Sequence, residues 1–182
     1  PLNLRDNLQE IIDYLADGGP RHLVCAGVPH ASLAEVDSSI EMLDRAGEAC
    51  RKAGLVLSLH NHETEFRPLS ETTAYEMILK GTSSERMAME LDIGWAVKAG
   101  VDPVLLFKRY PGRFVLWHVK DMDRERMLPV PLGQGMIDFR PIFAHADIAG
   151  MQHFYVEHDS PADPMASIAT SLQYLKRTIG SS

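Results

Sequence analysis

Apolar runs of β character alternate strictly with helical segments along the whole chain, and this alternation limits the fold more than any other feature. The runs are rich in leucine, valine and aromatic residues and span residues 22–28, 55–59, 87–93, 114–119 and 153–157. No turn of the Asn-Gly kind joins two of them into a hairpin. Strict alternation predicts βαβ units and a parallel sheet covered by helices.

Capping residues and apolar periodicity mark the helices between these strands. Helical spacing of apolar residues predicts a first helix over residues 3–17. Side chains suited to capping stand before the later helical patterns, at Ser38, Ser70, Asp102, Asp138 and Asp163. Asp102 and Asp163 are each followed by a proline, which favours the first helical position. No linker or second domain is visible, so residues 1–182 are expected to form a single domain.

Four consecutive strands end in side chains that can bind a metal. The candidates are His60 or His62, Asp92, His118 and Glu157. In a closed βα barrel the carboxyl ends of all strands converge on one mouth, whereas an open sheet gathers ligands at a single crevice. The pattern therefore favours an α/β fold of the (β/α)8 TIM barrel type, although the chain supplies only about five of the eight βα units.

Nitrogen and carboxylate donors in this mixture favour one divalent metal such as Mn²⁺, Zn²⁺, Co²⁺ or Fe²⁺ over Ca²⁺. The net charge of −7 argues against a nucleic-acid partner and against adsorption to an anionic membrane. Cys25 and Cys50 lie in apolar segments, which predicts buried thiols in a cytoplasmic protein. Neither a dinucleotide-binding fingerprint nor a nucleophile elbow is present.

Four segments of the chain are familiar as a series. HNHETEF, ELDIGWAVKAGVDPVLLFKRYPGRFVLWHVKDMD, PLGQGMIDFRPIF and FYVEHD, in this order, resemble the sugar phosphate isomerase/epimerase family. That family has the xylose isomerase-like TIM barrel and is related to the AP endonucleases. The resemblance covers nearly the whole chain and implies its last five βα units. The chain is thus expected to be a fragment, a partly observed chain or a natural truncation completed by a partner.

The resemblance also implies a set of metal ligands. Family enzymes hold one divalent metal with a Glu, an Asp, a His and a Glu at successive strand ends, which implies Asp92, His118 and Glu157 here. At the position of the first glutamate this chain has His60. Glu63 or Glu65 could supply the missing carboxylate, or His62 could be the base, and these alternatives stay open.

The implied activity is a metal-dependent isomerase or epimerase that removes a proton next to a carbonyl and forms an enediolate. Glu157 would be ligand and acid/base, with His60 or His62 opposite. Lys120 would hold a substrate oxygen, or alternatively pair with Asp121 or Asp123. The predicted contacts to a carbohydrate substrate are Glu65, Trp95, Lys120 and Gln134, with Arg67 a weaker candidate and Trp117 assigned to the core. The family often forms homo-oligomers.

Three other functions compete with this one. A keto-inositol or keto-sugar dehydratase would use the same metal for β-elimination, and a histidine base beside one glutamate favours it. An AP endonuclease needs three zinc ions and more histidines. Three positions after Asp92 this chain has Trp95 and not a metal-binding histidine, which argues against that function. A non-enzymatic remnant of the barrel is the fourth possibility, and metal analysis would test it.

Overall fold

The chain divides into two compact units, residues 1–90 and 91–182, and the computed structural model describes residues 2–180. Helices and strands alternate along both units, and all five strands of β character are present and parallel where they pair. The prediction of a single domain stays a prediction, and each unit is described by itself.

The first unit is built on three parallel strands. They are β1 (His22–Cys25), β2 (Val56–His60) and β3 (Met87–Asp92), the last of which crosses the division between the units at residue 90. Four helices accompany them: α1 (Leu2–Asp6), α2 (Leu8–Gly18), α3 (Leu33–Lys52) and α4 (Ala74–Gly81). The register of β2 with β3 places His60 opposite Glu90. The end of the pair therefore carries two ionisable side chains.

Three helix boundaries in the first unit differ from the sequence-based predictions. The single helix predicted over residues 3–17 is broken at Asn7 into α1 and α2. The cap of helix α3 is Ser32, six residues before the predicted box at Ser38. Ser32 accepts the N–H of Glu35, and the Glu35 carboxylate accepts the N–H of Ala31. This reciprocal pair satisfies one free donor in the first turn, the N–H of Glu35, and one just before the cap, the N–H of Ala31.

Helix α4 corrects a further boundary. Thr73, not Ser70, accepts the N–H of Glu76 and caps the helix. Ser70 has a φ of 59° and lies in the turn of a short antiparallel ribbon, Pro68–Leu69 with Thr72–Thr73. Thr72 and Thr73, which the pattern predicts to lie at the start of the helix, belong to this ribbon instead.

The second unit contains the parallel strands β4 (Leu116–Val119) and β5 (His153–Val156). Its helices are α5 (Ile93–Lys98), α6 (Pro103–Arg109), α7 (Phe139–Phe143), α8 (Ala146–Ala149) and α9 (Pro164–Thr178). The predicted caps Asp102, Asp138 and Asp163 are confirmed, since each accepts a backbone N–H of its helix. Helix α5, which the pattern did not predict, begins directly after β3.

The core of the second unit centres on Trp117. Its ring is 0% exposed and stacks on Phe107 at a centroid distance of 4.9 Å, which confirms the prediction that Trp117 packs in the core. In the first unit Cys25 and Cys50 are buried free thiols, also as predicted. Among the residues that the model describes, no helix has the length and apolar character needed to cross a membrane.

Candidate functional site

Asp92 occupies the point where strand β3 becomes helix α5, and its two carboxylate oxygens have different tasks. Oδ1 accepts the N–H of Trp95 at 3.0 Å and caps the helix. Oδ2 lies 2.8 Å from Nζ of Lys120 and 3.8 Å from Nδ1 of His118. The residue is 0% exposed. Capping fixes the orientation of the carboxylate, so that its second oxygen faces the neighbouring strand ends.

His118 and Glu157 bring the ends of β4 and β5 together. Nδ1 of His118 lies 2.5 Å from Oε2 of Glu157, and the Glu157 N–H donates to the carbonyl of Val119 at 3.2 Å. Because His118 donates to the carboxylate and Lys120 stands beside it, the pKa of Glu157 is lowered to about 2, although partial burial opposes this. Glu157 is therefore an anion at neutral pH.

Asp92, His118 and Glu157 each present a ligand atom within 4.8 Å of the others. One imidazole nitrogen and two carboxylate oxygens at strand ends form a donor set that fits a divalent transition metal or Mg²⁺. The structure thus brings together three of the four predicted ligands within the second unit. We call these three residues the ligand triad.

Lys120 joins this triad from the same strand end as His118. Its side chain is 1% exposed, and Nζ lies 2.8 Å from Asp92, 3.2 Å from Glu157 and 2.8 Å from Asp159. Burial opposes the charged form, yet these carboxylates outweigh it and raise the pKa of Lys120.

These ion pairs differ from the predicted pairing of Lys120 with Asp121 or Asp123. Asp121 instead accepts four backbone N–H groups, among them those of Gly133 and Gly135. Asp123 accepts the N–H groups of Glu125 and Arg126 in a surface turn. Both aspartates therefore hold loop backbone rather than the lysine.

The other residues predicted around the substrate lie in different settings. Two lysines lie over the Trp95 ring. Their Nζ atoms are 4.6 Å (Lys120) and 4.7 Å (Lys98) from the ring centroid. Gln134 is exposed on the loop of residues 133–137 that Asp121 holds. Trp95 is therefore next to the ligand triad, whereas Gln134 belongs to a surface loop.

Two histidines of the first unit, His60 and His62, lie at and just after the end of β2. His60 is 8% exposed, and its Nδ1 lies 3.3 Å from Oε2 of Glu90. The ring of His62 packs edge-on against His60 at 4.9 Å. The side chain of His62 is 49% exposed, and its Nδ1 lies 3.8 Å from Oε1 of Glu65. His60 is thus held in place by a carboxylate, whereas His62 faces solvent.

The two glutamates after His62 are engaged locally. Glu65 is 2% exposed and accepts the N–H of His62 at 3.0 Å and the hydroxyl of Thr64 at 3.1 Å. Glu63 forms an ion pair with Arg67 at 3.2 Å, and the Arg67 side chain is 68% exposed. Glu65 stabilises the loop that carries His62, which gives the loop a fixed conformation.

Two residues that contact the predicted site were missed by the sequence analysis. Glu90 pairs with His60, and Asp159 pairs with Lys120. Each stands two residues from a predicted ligand, Glu90 before Asp92 and Asp159 after Glu157. Side chains two apart on a strand share a face, so the spacing was an available signal for Glu90. Asp159 lies beyond the end of β5, where this periodicity gives no guidance.

Comparison with known proteins gives consistent results at the level of the family. The model of the family described as xylose isomerase-like TIM barrel matches residues 3–178. An inosose dehydratase of Lacticaseibacillus casei is 25% identical in an alignment of 173 residues that covers 83% of this chain and 57% of that enzyme. The chain therefore spans little more than half the length of this relative.

Solved structures agree with this match. A sugar phosphate isomerase/epimerase of Parabacteroides distasonis superposes with a TM-score of 0.84 at 29% identity, over 96% of this chain and 64% of the other. A xylose isomerase-like TIM barrel protein of Mycobacterium smegmatis in complex with magnesium superposes with a TM-score of 0.69 at 19% identity, over 97% and 66%. The fold class predicted from the strand ends is confirmed, with five parallel strands of the barrel type in this chain.

Proposed function

Because the chain belongs to the xylose isomerase-like TIM barrel family, we propose that it is part of a divalent-metal-dependent isomerase or epimerase of a sugar or sugar phosphate. The observation that carries the proposal is the ligand triad, a histidine and two carboxylates whose donor atoms lie within 4.8 Å of one another. The 29% identical structure from P. distasonis, described as a sugar phosphate isomerase/epimerase, supports this class of reaction.

Asp92, His118 and Glu157 would hold the metal. When bound, a divalent ion acts as a Lewis acid that acidifies the C–H next to a carbonyl and stabilises the resulting enediolate. Asp92 is suited to the role of a fixed ligand, because helix capping through Oδ1 orients the other oxygen and the residue is fully buried. His60 as the fourth ligand stays a prediction, and its contact with Glu90 would fix the orientation of the ring for that task.

Glu157 is the proposed acid/base residue. With a pKa of about 2 it is a carboxylate at neutral pH, but a carboxylate this acidic is a weak base. The acid/base role therefore requires that its contacts with His118 and Lys120 change when metal and substrate bind. Its side chain is 35% exposed, so a substrate has access to the carboxylate. His62 as the second base stays a prediction, supported by its exposure of 49% and by its position on a loop that Glu65 stabilises.

A carbohydrate is the proposed substrate class, and the contacts predicted for it stay predictions. Trp95 offers an aromatic ring beside the ligand triad, while Glu65 is buried and Gln134 lies on a surface loop. The prediction that Lys120 holds a substrate oxygen requires that its ammonium be released from at least one of three carboxylates. Because these ion pairs would have to break first, Lys120 is a poorer candidate for a direct substrate contact.

Dehydration is the second candidate, and two observations favour it. The curated relative from L. casei is an inosose dehydratase, and position 60 carries a histidine where the two-glutamate epimerase pattern has a carboxylate. Both reactions begin with removal of a proton next to a carbonyl. They differ in whether the enediolate is reprotonated or expels a hydroxyl group from the adjacent carbon.

Metal binding tests the proposal first. Isothermal titration of the purified chain with Mn²⁺ is expected to give one site per chain, and D92N and H118A are expected to weaken it at least about 100-fold. H153A is the matched control, because His153 is an exposed histidine at the opposite end of the β4–β5 pair. Equal binding by all four proteins would exclude the ligand triad as the metal site.

The reaction is tested with the metal-loaded protein in D₂O. A ketose or ketose phosphate that gains deuterium next to its carbonyl and yields an epimer or aldose supports the isomerase or epimerase. A 2-keto-inositol that develops enone absorbance supports the dehydratase. Bound metal without exchange into either substrate class would leave the non-enzymatic remnant as the better description.

A further inference from the structure

A buried cation, Lys120, lies against the ligand triad, and its partners have an unusual charge balance. Nζ of Lys120 lies within 3.2 Å of the carboxylates of Asp92, Glu157 and Asp159. A histidine binds a metal as the neutral imidazole, so in the metal-bound site three carboxylates and one ammonium give this group a net charge of −2 before the metal is counted. A single divalent cation neutralises that charge. Charge neutrality matters here because Asp92 and Lys120 are almost fully removed from water, where uncompensated charge is costly.

From this balance we infer that Lys120 is a positioning residue that sets the charge of the metal site for a divalent ion. It acts through Asp92 and Glu157 and not by contact with substrate. The inference rests on the proposed metal site and deepens it, because it names the residue that determines which charge of cation the ligand triad prefers.

The surroundings of Lys120 are shaped to hold it in this position. A Cβ atom on Gly94 would lie 2.7 Å from Cγ and 2.9 Å from the carbonyl oxygen of Lys120, so only glycine leaves room for the lysine at the start of α5. The Trp95 ring covers the ammonium at 4.6 Å, an arrangement that favours a cation. Gly94 and Trp95 therefore both accommodate the Lys120 side chain, and neither contact involves the carboxylates.

Asp159 gives the group its third negative charge without being a member of the ligand triad. Its side chain is 45% exposed and contacts Lys120 at 2.8 Å. If Lys120 only balanced Asp92 and Glu157, the group would be one charge more positive and a divalent ion would overcompensate it. The pairing with Asp159 therefore belongs to the same charge balance.

The experiment compares the affinities of two probe ions, Mn²⁺ and Tb³⁺, in the full chain. The ratio of the two dissociation constants gives the preference of each protein for Tb³⁺ over Mn²⁺. Comparing this ratio between a variant and the wild type cancels the intrinsic preference of each ion for the donor set. Mn²⁺ is followed by calorimetry and Tb³⁺ by its luminescence, which the indole of Trp95 can sensitise at this distance from the site. Neither readout depends on enzymatic activity.

K120M removes the positive charge and keeps the length of the side chain, so the preference for Tb³⁺ over Mn²⁺ is expected to rise about fivefold or more. D159N removes a negative charge at a partly exposed position and is expected to lower the same preference by a similar factor. The opposite signs separate a charge effect from a loss of packing. D159N also keeps the test decisive if K120M does not fold.

K98M is the matched control, because it removes a second lysine whose Nζ lies over the same Trp95 ring, at 4.7 Å from the centroid. The preference of K98M for Tb³⁺ over Mn²⁺ is expected to stay within about twofold of the wild-type value. If K120M and D159N also stay within that range while H118A still weakens Mn²⁺ binding, the charge-balancing role is overturned and the metal site stands. If the wild-type chain binds neither ion, the metal site and this inference fail together.

Discussion

Single residues decide the geometry of the ligand triad, and Asp92 is the clearest case. One oxygen caps α5 and the other points at Lys120 and His118. A serine could cap the helix as well, and a surface carboxylate could supply a ligand atom, but neither would do both. Combining them in one side chain ties the orientation of a ligand to the start of a helix. Disturbing the first turn of α5 should therefore disturb the site.

Replacing Gly94 by alanine tests that connection. The added Cβ would lie 2.9 Å from the Lys120 carbonyl oxygen, which is backbone and cannot rotate away. We expect the free energy of unfolding to fall by about 1–3 kcal/mol, as in other overpacked sites. Because the displaced strand end carries His118 and Lys120, Mn²⁺ affinity should fall as well. Urea denaturation and calorimetry measure the two effects.

G27A is the control for this substitution. Gly27 belongs to the loop after β1, its φ is not positive, and a Cβ there would meet no atom within 4 Å. Its unfolding free energy should stay within about 0.5 kcal/mol of wild type. Unchanged stability and unchanged metal affinity in G94A would show that the first turn of α5 is not coupled to the site.

At the scale of elements, helix α3 depends on a close approach to the backbone just before strand β3 in the first unit. A Cβ on Gly47 would lie 2.8 Å from the carbonyl carbon of Arg86, just before β3. Glycine in the middle of a 20-residue helix costs about 1 kcal/mol relative to alanine. The close contact with Arg86 explains why the helix accepts that cost.

G47A is accordingly expected to destabilise the chain by about 2 kcal/mol or more, although alanine is the better helix former. Thermal or urea denaturation measures the change. S38A, on the exposed face of the same helix, is the control and should be neutral or slightly stabilising. A G47A protein that is as stable as S38A would contradict close packing of α3 at this point.

Asp121 organises the loop that follows β4. Its two oxygens accept the N–H groups of Met122 and Ile137, and of Gly133 and Gly135, at 2.9–3.1 Å. An asparagine would present an NH₂ group to two of these donors. D121N should therefore lower the free energy of unfolding by about 3 kcal/mol and accelerate amide exchange at residues 133–137.

D123N provides the comparison, because Asp123 accepts two N–H groups in an exposed turn where water can replace it. Its loss of stability is expected to be below about 1 kcal/mol. Slow amide exchange of the loop in D121N would mean that the four hydrogen bonds do not hold it.

At the scale of the whole molecule, the order of strands and most helix ends could be predicted from sequence because their signals are local. Asp102 and Asp163 stand beside the prolines that they precede, and the structure confirms both caps. Ser38 carried an equally good local pattern, but Ser32 forms the cap. The partners of Lys120 could not be predicted, since they depend on how β3, β4 and β5 end in space and not on neighbours in the chain.

Apolar surface in the second unit leads to a prediction about the behaviour of the chain in solution. Among the described residues, β5 is the last strand of its sheet and pairs with β4, and its Tyr155 and Val156 are 52% and 39% exposed. Helix α9 exposes Ile168 and Leu172 at 58% and 49%. An unpaired strand edge and an exposed apolar helix face are each templates for association with another copy.

The chain alone is therefore expected to associate with itself as its concentration rises, which sedimentation velocity can measure. Substituting both exposed residues of α9 (I168K and L172K) should shift the distribution toward the monomer, because lysines oppose burial of this face. L105K is the control: Leu105 is 63% exposed on α6, where a single apolar side chain is normal for a protein surface. A wild-type chain that stays monomeric at every concentration would contradict the prediction. Equal association in the double variant and in L105K would assign it to a surface other than α9.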